Sequence, residues 1–221
     1  MNKQAKGYFQ RKFKLEEMDF SNLSSDQQMP IIEGTQHIPS RIVDLDVALR
    51  RNEHSCGVHT FLDDYKIDRL WNDTEYYIRR LRPFDCVFSP DFSLLIDMPK
   101  SAIMWNSYRS KLVGQMFQQS GICVIPTVSW AAPNTYNECF AGLPQKSVVA
   151  VSTLGIMQRR DALRYFLLGF KEMLKRLSPT TVVLYGLAPH FDFDTPAIVH
   201  FENTNLAWKD SYQPVLLNEV I

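Results

Sequence analysis

Three carboxylates stand where chemistry could be assembled: Asp63 and Asp64 close one short apolar run, and Asp91 follows another. Two carboxylates in one pocket can act as general acid and base, flank a glycosidic bond or hold a divalent metal. Asp63 and Asp64 are adjacent, so in an extended segment they face opposite sides and one of them at most enters a shared site. Around them lie groups that bind rather than react. Tyr65 and Trp130 offer faces on which a base can stack, and Ser89 and Ser152 offer hydroxyls. Asn106 and Arg109, three residues apart in a helical run, share one helix side from which Arg109 can reach an anion. The plainer reading is as concrete: Asp and Ser after a strand commonly cap the next helix, and Arg109 can serve as an ion-pair partner.

These residues need elements that bring them together. Short β-branched runs predict strands over 42–47, 58–63, 85–89, 123–129, 148–153, 181–185 and 198–201, separated by segments of helical period. The clearest helix is predicted over 158–177, where Leu163, Phe166, Leu167, Phe170, Leu174 and Leu177 form one apolar stripe opposite Arg160, Arg164, Lys171 and Lys175. A second starts at Asp97 as N-cap, with Pro99 in its first turn, and is stopped by Gly121. Such alternation is the pattern of βα repeats. It predicts an α/β fold with a predominantly parallel sheet, either an incomplete TIM-like barrel or an open doubly wound sheet; the first βα turn has no glycine fingerprint, which favours the barrel. In both, ligands bind beyond the carboxyl ends of the strands, where five of the predicted strands finish in polar or aromatic residues. Residues 1–40 mix a basic aromatic start with a polar stretch and two prolines, and are expected as an irregular N-terminal extension to a single domain over 41–221.

Composition sets the outer bounds. The 221 residues carry 24 basic and 24 acidic side chains, so no global charge marks the chain for nucleic acid and any such contact must be local. No apolar stretch reaches the roughly 20 residues that span a bilayer, and the polar start lacks the core of a secretion signal, so a cytoplasmic protein with no membrane partner is expected. The four cysteines form no CxxC pair and are expected to be reduced. Cys56 and His59 have ligand-like spacing, but no second compact pair accompanies them, so no metal site is expected. Dinucleotide, Walker, nucleophile-elbow and zincin motifs are absent, and the cofactor is left unassigned.

The strings FLDDY (61–65), SPDFSLLIDMP (89–99), WNSYRSKLVG (105–114), GICVIPTVSW (121–130), VAVSTLG (149–155) and VVLYG (182–186) together resemble the family catalogued as domain of unknown function 4417, seen in phages, prophages and integrative elements of bacteria. The resemblance runs over roughly residues 41–201. It brings no reaction with it; it implies a protein of mobile DNA and, by association, nucleic acid as a partner. Two functions compete. One is an enzyme acting on a nucleotide, nucleobase or nucleic acid, with Asp63 or Asp64 and Asp91 reacting and Arg109 as anion contact. The other is a non-catalytic adaptor that binds a host or phage protein. Convergence of Asp63, Asp91 and Arg109 on one pocket would favour the enzyme.

Overall fold

The computed structural model describes residues 3–51, 53–156, 159–203 and 215–216. In chain order the elements are α1 (Lys3–Lys12), β1 (Ile42–Asp44), α2 (Leu45–Ala48), β2 (Gly57–His59), α3 (Asp64–Asn72), α4 (Thr74–Leu81), β3 (Cys86–Phe88), α5 (Lys100–Gln119), β4 (Val124–Ile125), α6 (Tyr136–Phe140), β5 (Val148–Ser152), α7 (Arg160–Leu177), β6 (Thr181–Tyr185), β7 (Ala197–Phe201) and β8 (Val215–Leu216). Every predicted strand is present, mostly shorter than expected, and β8 is an addition.

The first four strands pair in parallel in chain order, as do β5, β6 and β7, with β8 antiparallel to β7. A parallel bridge between Thr127 and Ala150 joins the two sheets, supported by Val128 N–H on the Ala150 carbonyl and Ala150 N–H on the Pro126 carbonyl, each at 2.8 Å. The parallel strands therefore follow one another without the reversal of order that defines a doubly wound sheet. The sheet also curls. The ring of His59, the last residue of β2, meets Tyr185 of β6 at 4.4 Å between centroids, and Phe61 meets the Tyr185 ring at 5.3 Å, although three strands lie between β2 and β6. Phe61, Cys86, Phe88, Ile125, Val148, Ala150, Val183, Val199 and Phe201 form the inner core that this curling encloses. The result is an incomplete barrel, with no ladder joining β7 to β1 among the described residues.

Alternation along each strand puts the remaining residues outside, against the helices. Val58, Val87 and Val124 pack on Ile67, Leu70, Leu81, Val113 and Phe117; Val149, Val151, Val182 and Leu184 pack on Phe166, Phe170 and Met173 of α7. Each such side chain contributes about 1.5–3 kcal/mol by leaving water. Of the expected stripe on α7, Phe166, Phe170 and Leu177 are buried in this core, Leu167 and Leu174 pack against it partly buried, and Leu163 is only partly buried; Arg160, Arg164, Lys171 and Lys175 are exposed. Asp97 does not cap α5, whose N-cap is Pro99 and has no side-chain hydrogen bond there; Asp97 is exposed at the rim instead. Gly121, at φ +80°, ends the segment after α5, a conformation that favours glycine.

Helix α5 is covered by the sheet, by the N-terminal segment and by loops, so polar residues on it are buried: Asn106 donates to the Ser93 carbonyl, Lys111 to the Cys139 carbonyl, and Gln115 lies against the N-terminal segment. Gln115 donates to the Asn22 and Ile31 carbonyls and accepts from Asp19 N–H, while Gln118 exchanges two hydrogen bonds with the Glu33 backbone. Gly114 makes room for Ile32, since a Cβ there would sit 2.6 Å from Ile32 Cδ1. Ile32 is fully buried in the same core as Val58 and Phe117. The first forty residues are thus less irregular than expected: they include α1 and then a strap, residues 29–39, that packs into the domain and passes beneath the amino ends of the strands. Thr35 is its anchor: its N–H donates to the Ser147 hydroxyl, and its carbonyl accepts from that hydroxyl and from Val148 N–H.

Candidate functional site

At the carboxyl ends of the strands the barrel opens into a cleft of ≈ 1170 Å³, lined from all seven parallel strands or the loops that follow them. Its best-built residue is Asp91. Beyond β3 the chain is fixed by Ser89, fully buried, whose Oγ accepts from Thr127 N–H at 2.8 Å and whose carbonyl accepts from the hydroxyls of Thr60 and Thr127. Thr60 Oγ1 in turn accepts from Asp91 N–H at 3.1 Å, so three strand ends hold one aspartate in place. Ser129 Oγ donates to Asp91 Oδ1 at 2.6 Å. Burial pushes the Asp91 carboxyl up to about 6 against the opposing effect of the Ser129 bond, with the nearby Asp64 carboxylate adding to the rise. A carboxyl that titrates there can both give and take a proton near neutrality.

His59 lies deeper in the same cleft. Burial holds its imidazole down to about 3, so the ring is neutral, and its Nδ1 accepts from Phe61 N–H at 3.3 Å, which assigns the proton to Nε2. Tyr185 packs on that ring; burial first, and the Asp44 carboxylate second, push its phenol up to about 12. Asp44 is itself engaged as the N-cap of α2, accepting from Val47 N–H at 2.7 Å. The opposite wall is Trp130, tilted on Phe166 at 5.3 Å and seated over Gly169 of α7, where a Cβ would lie 2.1 Å from the indole nitrogen. Six carboxylates (Asp44, Asp63, Asp91, Asp97, Asp161, Glu202) face three arginines (Arg41, Arg51, Arg159) around the lining. Arg41 is paired with Glu53 and Arg159 with Asp161.

Of the residues singled out from sequence, Asp63, Asp91, Trp130 and Ser152 line this cleft. The other five lie outside it. Asp64 starts α3 and accepts from both the N–H and the hydroxyl of Ser93, tying two rim loops together. Tyr65 is 74% exposed under Lys66. Ser89 is the fastener just described. Asn106 donates to the Ser93 carbonyl at 2.7 Å, and Arg109 pairs with Asp68 of α3 at 2.6 Å while its guanidinium lies 3.9 Å from the Phe92 ring centre. Asp63 and Asp91 thus share a pocket and Arg109 does not join them. Sequence reasoning had no role for Arg159, Asp161 or Tyr165, because they line the cleft from the start of a helix whose apolar stripe was the visible signal. Among the described residues, the donors gathered closely enough for a metal ion are at the other end of the barrel.

The comparisons with known proteins bear on this same stretch of chain. A family described as a domain of unknown function (DUF4417) matches residues 21–202. The chain belongs to the DUF4417 family. Similar proteins are the Gene 1 protein of Mycobacterium phage L5, 35% identical over 179 residues that cover 79% of this chain and 78% of the phage protein, and the Gene 1 protein of Mycobacterium phage D29, 34% identical over 173 residues covering 76% of this chain and 64% of that protein. No solved structure matches the chain. The DUF4417 match spans the strap, all seven parallel strands and every cleft residue discussed above. Among the described residues, no helix is long and apolar enough to cross a membrane.

Proposed function

We propose that the protein is an enzyme that binds a nucleobase or nucleoside unit, free or within a nucleotide or nucleic acid, in the rim cleft and uses Asp91 as its proton donor and acceptor. The observation that carries this reading is Asp91 itself, a half-buried carboxyl titrating near 6, fixed by Thr60 and Ser129 and facing the cleft. Asp63, exposed on the same lining, is the second carboxylate. Trp130, Tyr165 and Tyr185 supply aromatic surface, and neutral His59 supplies an N–H donor; these suit a flat heterocycle with hydrogen-bonding edges. The excess of carboxylates over arginines suits the base and sugar better than a polyphosphate.

The test is a thermal-shift and turnover screen of nucleobases, nucleosides, their monophosphates and short oligonucleotides against the intact protein and Asp91→Asn. A stabilising ligand whose turnover drops about a hundredfold or more in the folded variant supports the reading. Ligands that stabilise and turn over equally in both remove Asp91 from the chemistry.

One observation favours the adaptor reading instead. Leu95, Ile96, Leu154 and Leu187 stand exposed, three of them in the loops bordering the cleft mouth and Leu187 just beyond β6, the kind of apolar collar a host or phage protein would cover. Under that reading, Leu95→Asp with Ile96→Asp abolishes partner capture, whereas Asp91→Asn leaves it intact.

A further inference from the structure

The floor of the barrel, opposite the cleft, gathers three donors of different chemistry. His37 comes from the strap, Asp85 from the residue before β3, and Cys86 from its first position; one imidazole nitrogen, one carboxylate oxygen and the thiol sulfur all lie within 4.8 Å of one another. His37 Nε2 and Asp85 Oδ2 are already 2.9 Å apart. The sulfur forms the buried inner wall, while His37 and Asp85 keep 36% and 35% of their side-chain surface in water. An ion could therefore arrive from solution without opening the core.

Each donor is held by neighbours. The strap cannot drift, because Thr35 is bonded to Ser147 and Val148, and Gln36 both donates to the Lys146 carbonyl at 2.7 Å and accepts from Thr180 at 2.8 Å. Two residues after His37, Pro39 lies beside Gly57, and a Cβ on Gly57 would fall 2.9 Å from the Cys86 sulfur, so glycine there leaves the sulfur its space. We propose that His37, Asp85 and Cys86 bind one divalent transition-metal ion of the zinc class, with water completing its shell, and that this ion staples the strap to β3. The mixed nitrogen, oxygen and sulfur set is borderline-soft, which suits zinc and disfavours magnesium or calcium. Bonds of about 2.0–2.3 Å to a tetrahedral ion would set the donors about 3.3–3.6 Å apart. The histidine and aspartate, 2.9 Å apart, must then part slightly, which their partly exposed side chains allow. Binding breaks the S–H bond and forms the metal–sulfur bond, and the proton leaves to solvent.

Cobalt(II) is the probe, added to the reduced full-length protein after chelation and then displaced with zinc. The expected result is stoichiometric uptake with a thiolate-to-cobalt charge-transfer band and the intense visible bands of a tetrahedral site, both lost on adding zinc. Cys86→Ser removes the charge-transfer band, and Cys123→Ser, whose thiol is not among the three donors, retains it. His37→Gln and Asp85→Asn each weaken cobalt binding by about tenfold or more. Both residues are half-exposed, so these two variants keep the question decidable even where Cys86→Ser fails to fold. Absence of stoichiometric uptake, a charge-transfer band that survives Cys86→Ser, or affinity unchanged in both exposed variants overturns the proposal.

Discussion

The carboxyl rim and the amino floor are made by the same seven strands, yet one leaves polar side chains facing an open cleft while the other engages nearly all of them in holding a strap of chain. At the rim the loops after β3, β4 and β6 run for ten residues or so, and Asp63, Asp91 and Ser152 end on a cavity. At the floor the returns into β3, β5 and β6 are short, and Thr35, Gln36, Ser147 and Thr180 bond to one another across them. The contrast is the division of labour expected of parallel βα architecture, with adaptable loops at one end and closure at the other. It teaches that hydrogen-bonding residues of similar type are informative only when their partners are known: Ser129 turns toward an aspartate in a cleft, whereas Ser147 turns toward a backbone carbonyl.

The sharpest way to break this contrast is to remove what supports the rim from below. Phe170 lies under Trp130 and against Phe191 at 4.7 Å, fully buried. Phe170→Ala is expected to cost about 3–5 kcal/mol in chemical denaturation, and unchanged stability would show that α7 does not hold up the cleft wall. Next in size is Gly169→Ala. Helix propensity alone predicts a gain, but the new methyl would overlap the Trp130 indole, so a net loss of about 1–3 kcal/mol is expected with a shift in tryptophan emission. Stabilisation with unaltered emission would mean the indole is free to move.

A smaller effect of opposite sign separates the rim from the rest. The folded Asp91 carboxyl titrates near 6 and an unfolded aspartate near 3.8. The folded form therefore holds the extra proton between those values, and above them it carries the cost of a buried charge. Asp91→Asn removes that cost and should raise stability by on the order of 1 kcal/mol at about pH 7.5, with the gain vanishing near pH 4, while rim function is lost. His59 changes in the other direction. Its depressed value favours the fold above 6.5, and that contribution is lost as the pH falls from 6.5 toward 3, so acid lability should shrink in His59→Phe. The smallest effect belongs to the floor: in metal-free protein His37→Gln replaces a partly exposed hydrogen bond to Asp85 and should change stability by about 0.5 kcal/mol or less.

Much of the architecture was legible because each strand carries its own β-branched signature, as in Val148–Ser152 and Thr181–Tyr185, and because the Phe166–Phe170 stripe has a single period. Helix α1, the break between α3 and α4, and the start of α5 were not. The α3–α4 break depends on Asp73 accepting from Tyr76 N–H, and the start of α5 on a proline doing without a side-chain cap. Within the site, Asp63, Asp91, Trp130 and Ser152, all read from strand ends, line the cleft. Arg109 was misplaced because a helical spacing fixes which residues share a side, not which way that side turns; Asp68 on α3 decides it. His37 was invisible as a partner of Asp85, since nothing local connects residues 48 positions apart.

That long separation has a consequence for how the chain is made. Thr35 bonds to Ser147, 112 residues later, and Ile32 N–H bonds to the Gly142 carbonyl. On the ribosome the strap emerges early and waits while most of the barrel is synthesised, so β1 to β4 can pair before the floor beneath them has its anchor. Contacts of such span close slowly, and a nascent half-barrel exposes its uncovered edge until residue 148 is free. Pausing of translation before that point should therefore favour aggregation or chaperone capture, whereas an equal pause after β5 has emerged should not.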